Sequence, residues 1–234
     1  MCGILGIASA IDSKISPVLF EKILNRLYLL SESRGKEASG FAFQDDDNIY
    51  VHKTPFPASE LIKTPAYQDN IRELRARTRH RIGIGHSRLV TDGEEYNNKN
   101  NQPVIKNGIV AVHNGIVVNV SSLWGKFGAE SKESELDSEI IPTLFSKFYM
   151  ENKNFASSLQ KLFKEIYGMS SIALLFEMLD NLLLATNNGS LYYMLDNKGK
   201  TLVFASERHI LLTLIKEERL ENIFSSEEIT HLEA

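Results

Sequence analysis

The chain has one cysteine among its 234 residues. A single thiol cannot close an internal disulfide and suits a reducing compartment, so a cytoplasmic location is expected. No basic stretch leading into an apolar run opens the sequence, which argues against a secretory signal. The most apolar region, "SSIALLFEMLDNLLLA", is cut by Glu177, Asp180 and Asn181, which excludes a membrane-spanning helix there. No block of consecutive lysines or arginines occurs, and the formal net charge is −4, so a nucleic-acid surface has no support. Internal repeats, low-complexity tracts, linkers and a phosphate-cradling glycine motif are also missing. These absences leave a soluble protein that handles small molecules, read as one domain over residues 1–234.

Strand and helix patterns fill that domain. "CGILGIASA" is short and apolar, as a buried strand is. Ser16 before Pro17 signals a helix start, and Phe20, Ile23, Leu24 and Leu27 continue it as a stripe. "GFAFQ" and "NIYVHK" form an expected strand pair, "AYQDNIRELRART" a helix with a charged face, and "RIGIGHSRLV" a further strand. The following "TDGEEYNNKNNQ" carries four asparagines and no apolar period, so it is expected outside the core. Asn107-Gly108 lies between apolar runs and predicts a hairpin. Helices are expected near 121–127, 137–149 and 155–166, with Pro142 bending or delaying the second. A second hairpin is expected to turn at Asp180-Asn181. "LYYMLD" and "TLVFAS" supply two more strands and "ERHILLTLIK" a closing helix. Strands, then helices, then strands again predict α/β layers with two sheets face to face.

The position of the thiol raises a chemical question. Initiator methionine is normally removed before a small residue, and removal of Met1 would leave Cys2 with its own α-amine beside the sulfur. Such an amine titrates at roughly 7.7–8.0 and a thiol at about 8.5. The amine could then take the thiol proton, giving a nucleophile with a built-in base. A buried, chemically inert cysteine in the first strand fits the same residues.

Six motifs in order bear on that choice: "MCGILGI", "RGKEASG", "GIGHSRLVTDG", "NQPV", "VAVHNGIVVN" and "SELDSE". Together they resemble the glutaminase domain of class II glutamine amidotransferases, the N-terminal-nucleophile hydrolases of the glucosamine-6-phosphate synthase and asparagine synthetase kind. The resemblance runs from residue 1 to about "VFASERHILL". It implies an α+β fold, a four-layer αββα sandwich with Cys2 at the start of a central strand. It implies Cys2 as nucleophile, and Asn114 and Gly115 as the oxyanion hole. Arg88 would hold the α-carboxylate of glutamine, Asp137 its α-amino group, and Thr91 would line the pocket. A planar guanidinium suits a carboxylate because it donates two parallel hydrogen bonds. Asp137 is also expected to cap the helix it opens. Arg34 is given a supporting role, and His86 and His113 are taken as structural hydrogen-bonding residues.

No metal or organic cofactor is implied. Two departures bear on the loop that folds over glutamine: Leu89 replaces a tryptophan found in some members, and Asp92 precedes the loop glycine. "SRLV" and "NQP" lean towards the asparagine synthetase pattern. Since the sequence stops at Ala234, the expectation is a free-standing glutaminase that passes ammonia to a separately encoded synthase through an exposed apolar patch. Two other readings stay open: a hydrolase of another γ-glutamyl amide, and a non-catalytic glutamine-sensing subunit.

Overall fold

Strict two-residue alternation in the apolar strands decides how the layers stack, because each strand must satisfy two different neighbours. The computed structural model describes residues 2–45, 48–76, 80–89, 96–128 and 132–234. Its strands are β1 (Gly3–Ser9), β2 (Ala38–Gln44), β3 (Ile49–Thr54), β4 (Arg81–Arg88), β5 (Val104–Lys106), β6 (Ile109–Gly115), β7 (Ser170–Phe176), β8 (Leu179–Thr186), β9 (Tyr192–Leu195), β10 (Thr201–Ala205) and β11 (Thr230–His231). Among the described residues they make two antiparallel sheets, one ordered β11-β9-β10-β1-β4-β2-β3 and the other β5-β6-β7-β8.

Leu5, Ile7, Phe41, Phe43 and Val203 face outward from the first sheet. They pack on α1 (Pro17–Ser31), the short α2 (Ala58–Leu61), α3 (Pro65–Ala76) and α7 (Arg208–Glu218). The alternate residues Ile4, Ala42, Ile82 and Ile84 face inward and meet Val110, Val112, Ala173 and Leu175 of the second sheet. The second sheet's other face, Ile109, Ala111, Ile172 and Leu174, packs on α4 (Val120–Phe127), α5 (Ile140–Asn152) and α6 (Phe155–Glu165). Three apolar seams thus separate four layers, helix, sheet, sheet, helix, and the αββα expectation is borne out.

Local signals hold where neighbours in sequence set them. The Ser16 hydroxyl accepts the Leu19 N–H at 3.1 Å and Pro17 opens α1. Asn107 and Gly108 both take positive φ between β5 and β6, the backbone a two-residue hairpin needs. Pro142 falls in the first turn of α5, where its missing N–H costs nothing.

Two expectations are corrected. The second hairpin turns at Glu177-Met178, and Asp180 and Asn181 lie inside β8. At this edge strand their side chains reach water, so the polar pair carries no turn. The asparagine-rich loop does not stay outside the core either: Asn100, Asn101 and Gln102 are buried. Their amides find partners inside the protein, and these partners belong to the site.

Candidate active site

Inward-facing positions converge at one end of the two sheets. Gly3 pairs with Ser87 and Ile4 with His86, which sets Cys2 beside Arg88 at the mouth of the central strand pair. Asn114, the penultimate residue of β6, is in phase with Val110 and Val112, on the same inter-sheet face. Cys2 is half-buried. The Leu89 N–H donates to its Sγ and the thiol donates to the Leu89 carbonyl, both at 3.4 Å. Burial pushes the Cys2 thiol up; the Leu89 N–H and the Arg88 charge oppose this, and the Asp137 charge adds to it. A thiol shifted this way stays protonated at neutral pH, so it becomes a nucleophile only if a base removes its proton.

Arg88 is buried at the end of β4, and its Nη1 donates to Asn101 Oδ1 at 2.7 Å. Asn101 is in turn held by Asn98 and accepts Lys53 Nζ at its carbonyl. Gln102 accepts the His113 N–H at 2.6 Å and donates to the His113 carbonyl and to Ser138 Oγ. Asn100 exchanges hydrogen bonds with Glu135 through its side-chain amide. The "NNQP" segment thereby ties Arg88 to the strand that carries Asn114 and to the segment around Asp137. Sequence reasoning gave Asn100, Asn101 and Gln102 no role. Their only signal was "NQPV" itself.

Gly35 explains why "RG" follows α1. A Cβ there would lie 2.2 Å from the Arg88 carbonyl carbon, so only glycine lets this loop press on the Arg88-Leu89 backbone. Arg34 beside it pairs with Glu207 at 2.8 Å. A surface cleft of about 350 Å³ lined by Arg34, Gly35, Lys36, Glu37 and Leu89 shares Leu89 with the sulfur.

Gly115 has φ +153°, and a Cβ on it would sit 1.9 Å from the Met169 carbonyl oxygen. That position tolerates glycine alone and leaves the backbone beside Asn114 bare. Asp137 opens a 3₁₀ turn, Asp137–Glu139, ahead of α5. It does not cap the helix as expected. Leu136 takes the cap position, and the Asp137 carboxylate instead accepts the Val117 N–H at 2.7 Å and the Ser138 hydroxyl at 3.2 Å. The loop after Gly115 takes the carboxylate that the helix end would have used, through the Val117 N–H. Thr91 and Asp92 lie outside the described residues.

The two histidines separate. His113 meets Ser138 Oγ at 2.9 Å and Ser170 Oγ at 3.0 Å, a structural role as expected, and burial pushes its pKa down. His86 is fully buried, and among the described residues neither ring nitrogen has a hydrogen-bond partner of good geometry, which corrects the expectation for it. Burial first, then the charges of Arg88 and His113, hold it down to about 3; the nearby His113 backbone opposes this without a bond of good geometry. Among the described residues no cluster of His, Cys, Asp and Glu could hold a metal ion, and no helix is long and apolar enough to cross a membrane.

A family model described as a glutamine amidotransferase domain matches residues 86–213, more than half of the chain. The chain belongs to the class II glutamine amidotransferases. The match begins at His86 and so does not include Cys2. An amidophosphoribosyltransferase of Methanothermobacter thermautotrophicus is 29% identical over 99% of this chain and 47% of its own length. A glutamine–fructose-6-phosphate aminotransferase of Rhizobium meliloti is 28% identical over 81% of this chain and 29% of its own. In fold, the chain is similar to the glutamine phosphoribosylpyrophosphate amidotransferase of B. subtilis, with a TM-score of 0.65 at 20% identity, covering 99% of this chain and 44% of that one. This amidotransferase domain therefore spans less than half the length of these relatives.

Proposed function

We propose that the chain hydrolyses L-glutamine to L-glutamate and ammonia through a thioester on Cys2, acting as one glutaminase unit over residues 1–234. With Met1 removed, the α-amine of Cys2 takes the thiol proton and the sulfur attacks the side-chain carboxamide. Asn114 Nδ2 and the Gly115 N–H stabilise the oxyanion of the tetrahedral intermediate. The protonated amine then gives its proton to the leaving nitrogen, ammonia departs, and the acyl group remains on sulfur. Water, deprotonated by the same amine, attacks the thioester and glutamate leaves.

Arg88 holds the α-carboxylate and Asp137 the α-amino group, with Thr91 completing the pocket. A ligand lacking the carboxylate forgoes charge-assisted bonds to the buried Arg88, and one lacking the amine forgoes those to the half-buried Asp137, which gives selectivity for a free amino acid. The observation that carries this reading is the convergence of Cys2, Arg88 and Asn114 on one end of the inter-sheet face. The raised thiol supports a separate base, the role assigned to the amine.

The ammonia passes to a separately encoded synthase. Ile116, Val118, Tyr167 and Met169 are exposed apolar side chains directly after Gly115 and on the segment bonded to it. Such a patch supports a partner surface beside the site. Incubation of Met1-processed protein with diazo-oxo-norleucine, followed by mass spectrometry, is expected to find the label on Cys2 and to abolish glutamine turnover. An unlabelled, glutamine-inert protein would overturn the proposal, and turnover of γ-glutamyl peptides in place of glutamine would assign the same machinery to another amide.

A further inference from the structure

The candidate oxyanion donor Asn114 has an orientation problem. A carboxamide presents a donor or an acceptor depending on a half-turn of its side chain, and only the nitrogen stabilises an oxyanion. Asn114 is buried, and among the described residues its Oδ1 has no partner and its side chain makes one hydrogen bond, from Nδ2 to Ser206 Oγ at 3.5 Å. Ser206 follows β10 and sits opposite Ile4, two residues after Cys2. It is fully buried. Its backbone N–H donates to the Ile4 carbonyl at 3.0 Å, and its carbonyl accepts the Ser190 hydroxyl at 2.5 Å.

The hydroxyl of Ser206 is itself committed. Its Oγ accepts the Ile4 N–H at 2.8 Å and donates its one proton to the Ile4 carbonyl at 3.3 Å. A hydroxyl has one proton and two lone pairs, so what remains for Asn114 is a lone pair. Facing it with Oδ1 would set two acceptors together; facing it with Nδ2 makes a bond.

We propose that Ser206 is a positioning residue that locks the Asn114 carboxamide with its nitrogen turned to the nucleophile strand. One Nδ2 proton goes to Ser206 and the second is left for the oxyanion. Because Ser206 is fixed by the backbone of Ile4, the same contact ties the oxyanion donor on one sheet to the strand that carries Cys2 on the other. This rests on the glutaminase reading above. The 3.5 Å separation is long for a hydrogen bond, in keeping with a catalytic contact that tightens once substrate binds.

The test is a double-mutant cycle on glutamine turnover together with an NMR measurement that needs no turnover. Losing one oxyanion donor costs on the order of 10²–10³ in kcat, and Asn114→Ala is expected to show that loss. Ser206→Ala is expected to lower kcat about tenfold, the scale of one hydrogen bond, with KM for glutamine within twofold. In the Asn114→Ala background Ser206→Ala should change kcat less than twofold, since there is no amide left to orient. Equal losses in both backgrounds, or a loss confined to KM, would overturn the proposal. In the unmutated protein the Asn114 side-chain amide protons should exchange far more slowly than those of exposed asparagines. Exchange at the exposed rate would overturn the lock even if glutamine is hydrolysed. A protein that ignores glutamine yet protects this amide would sink the glutaminase reading and leave the lock standing.

Discussion

His86 offers a quantitative handle on the inter-sheet layer. It is fully buried, has no hydrogen bond of good geometry among the described residues, and is held down to about 3. In the unfolded chain a histidine titrates near 6.5. Between those values the unfolded state binds the extra proton, so stability rises with pH and is fully present above about 6.5. It falls as the pH drops below that point and stops falling near 3. At about 1.36 kcal/mol per pH unit, His86 alone removes about 2 kcal/mol between pH 7 and pH 5. Burial lowers His113 too, which adds in the same direction. The perturbation is His86→Phe, of similar shape and with no hydrogen bond to lose. At pH 7 it should cost under about 1.5 kcal/mol, a repacking effect. Urea unfolding of both proteins at pH 7 and pH 5 should show a pH-dependent loss about 2 kcal/mol smaller in the variant. If the two proteins lose the same amount, His86 is not a neutral residue held against protonation and the reasoning fails.

Two further outcomes concern the site. Gly115→Ala forces a Cβ to 1.9 Å from the Met169 oxygen at φ +153°, and strain with overpacking should cost about 3 kcal/mol in urea unfolding. Asn101→Ala removes the 2.7 Å bond to Arg88, and a lost hydrogen bond to a charged group should raise KM for glutamine about tenfold or more with kcat within a few-fold.

Much of the fold was legible because it follows from neighbours in sequence. Strand residues such as Ile4, Leu5 and Ile7 are apolar on both faces, as a strand between two layers must be. Ser16-Pro17 and Asn107-Gly108 are local devices, and they act as read. The Asp180-Asn181 turn failed because two polar residues on an exposed edge strand look like a turn when only composition is weighed. The helix cap of Asp137 failed because a closer donor, the Val117 N–H, comes from a loop 20 residues away.

The sequence by itself determined the period of every major strand, the placement of one thiol behind Met1, and the order of the motifs that carry the family resemblance. Tertiary structure alone decided which polar side chains could be buried. Asn100, Asn101 and Gln102 enter the core because Glu135, Arg88 and His113 await them there. Ser206 matters because Ile4 and Asn114 meet over it, while the His86 ring is enclosed, among the described residues, without a hydrogen bond of good geometry. A hydrophobic pattern is set residue by residue along the chain, whereas the satisfaction of a buried polar group depends on partners that only folding brings within reach.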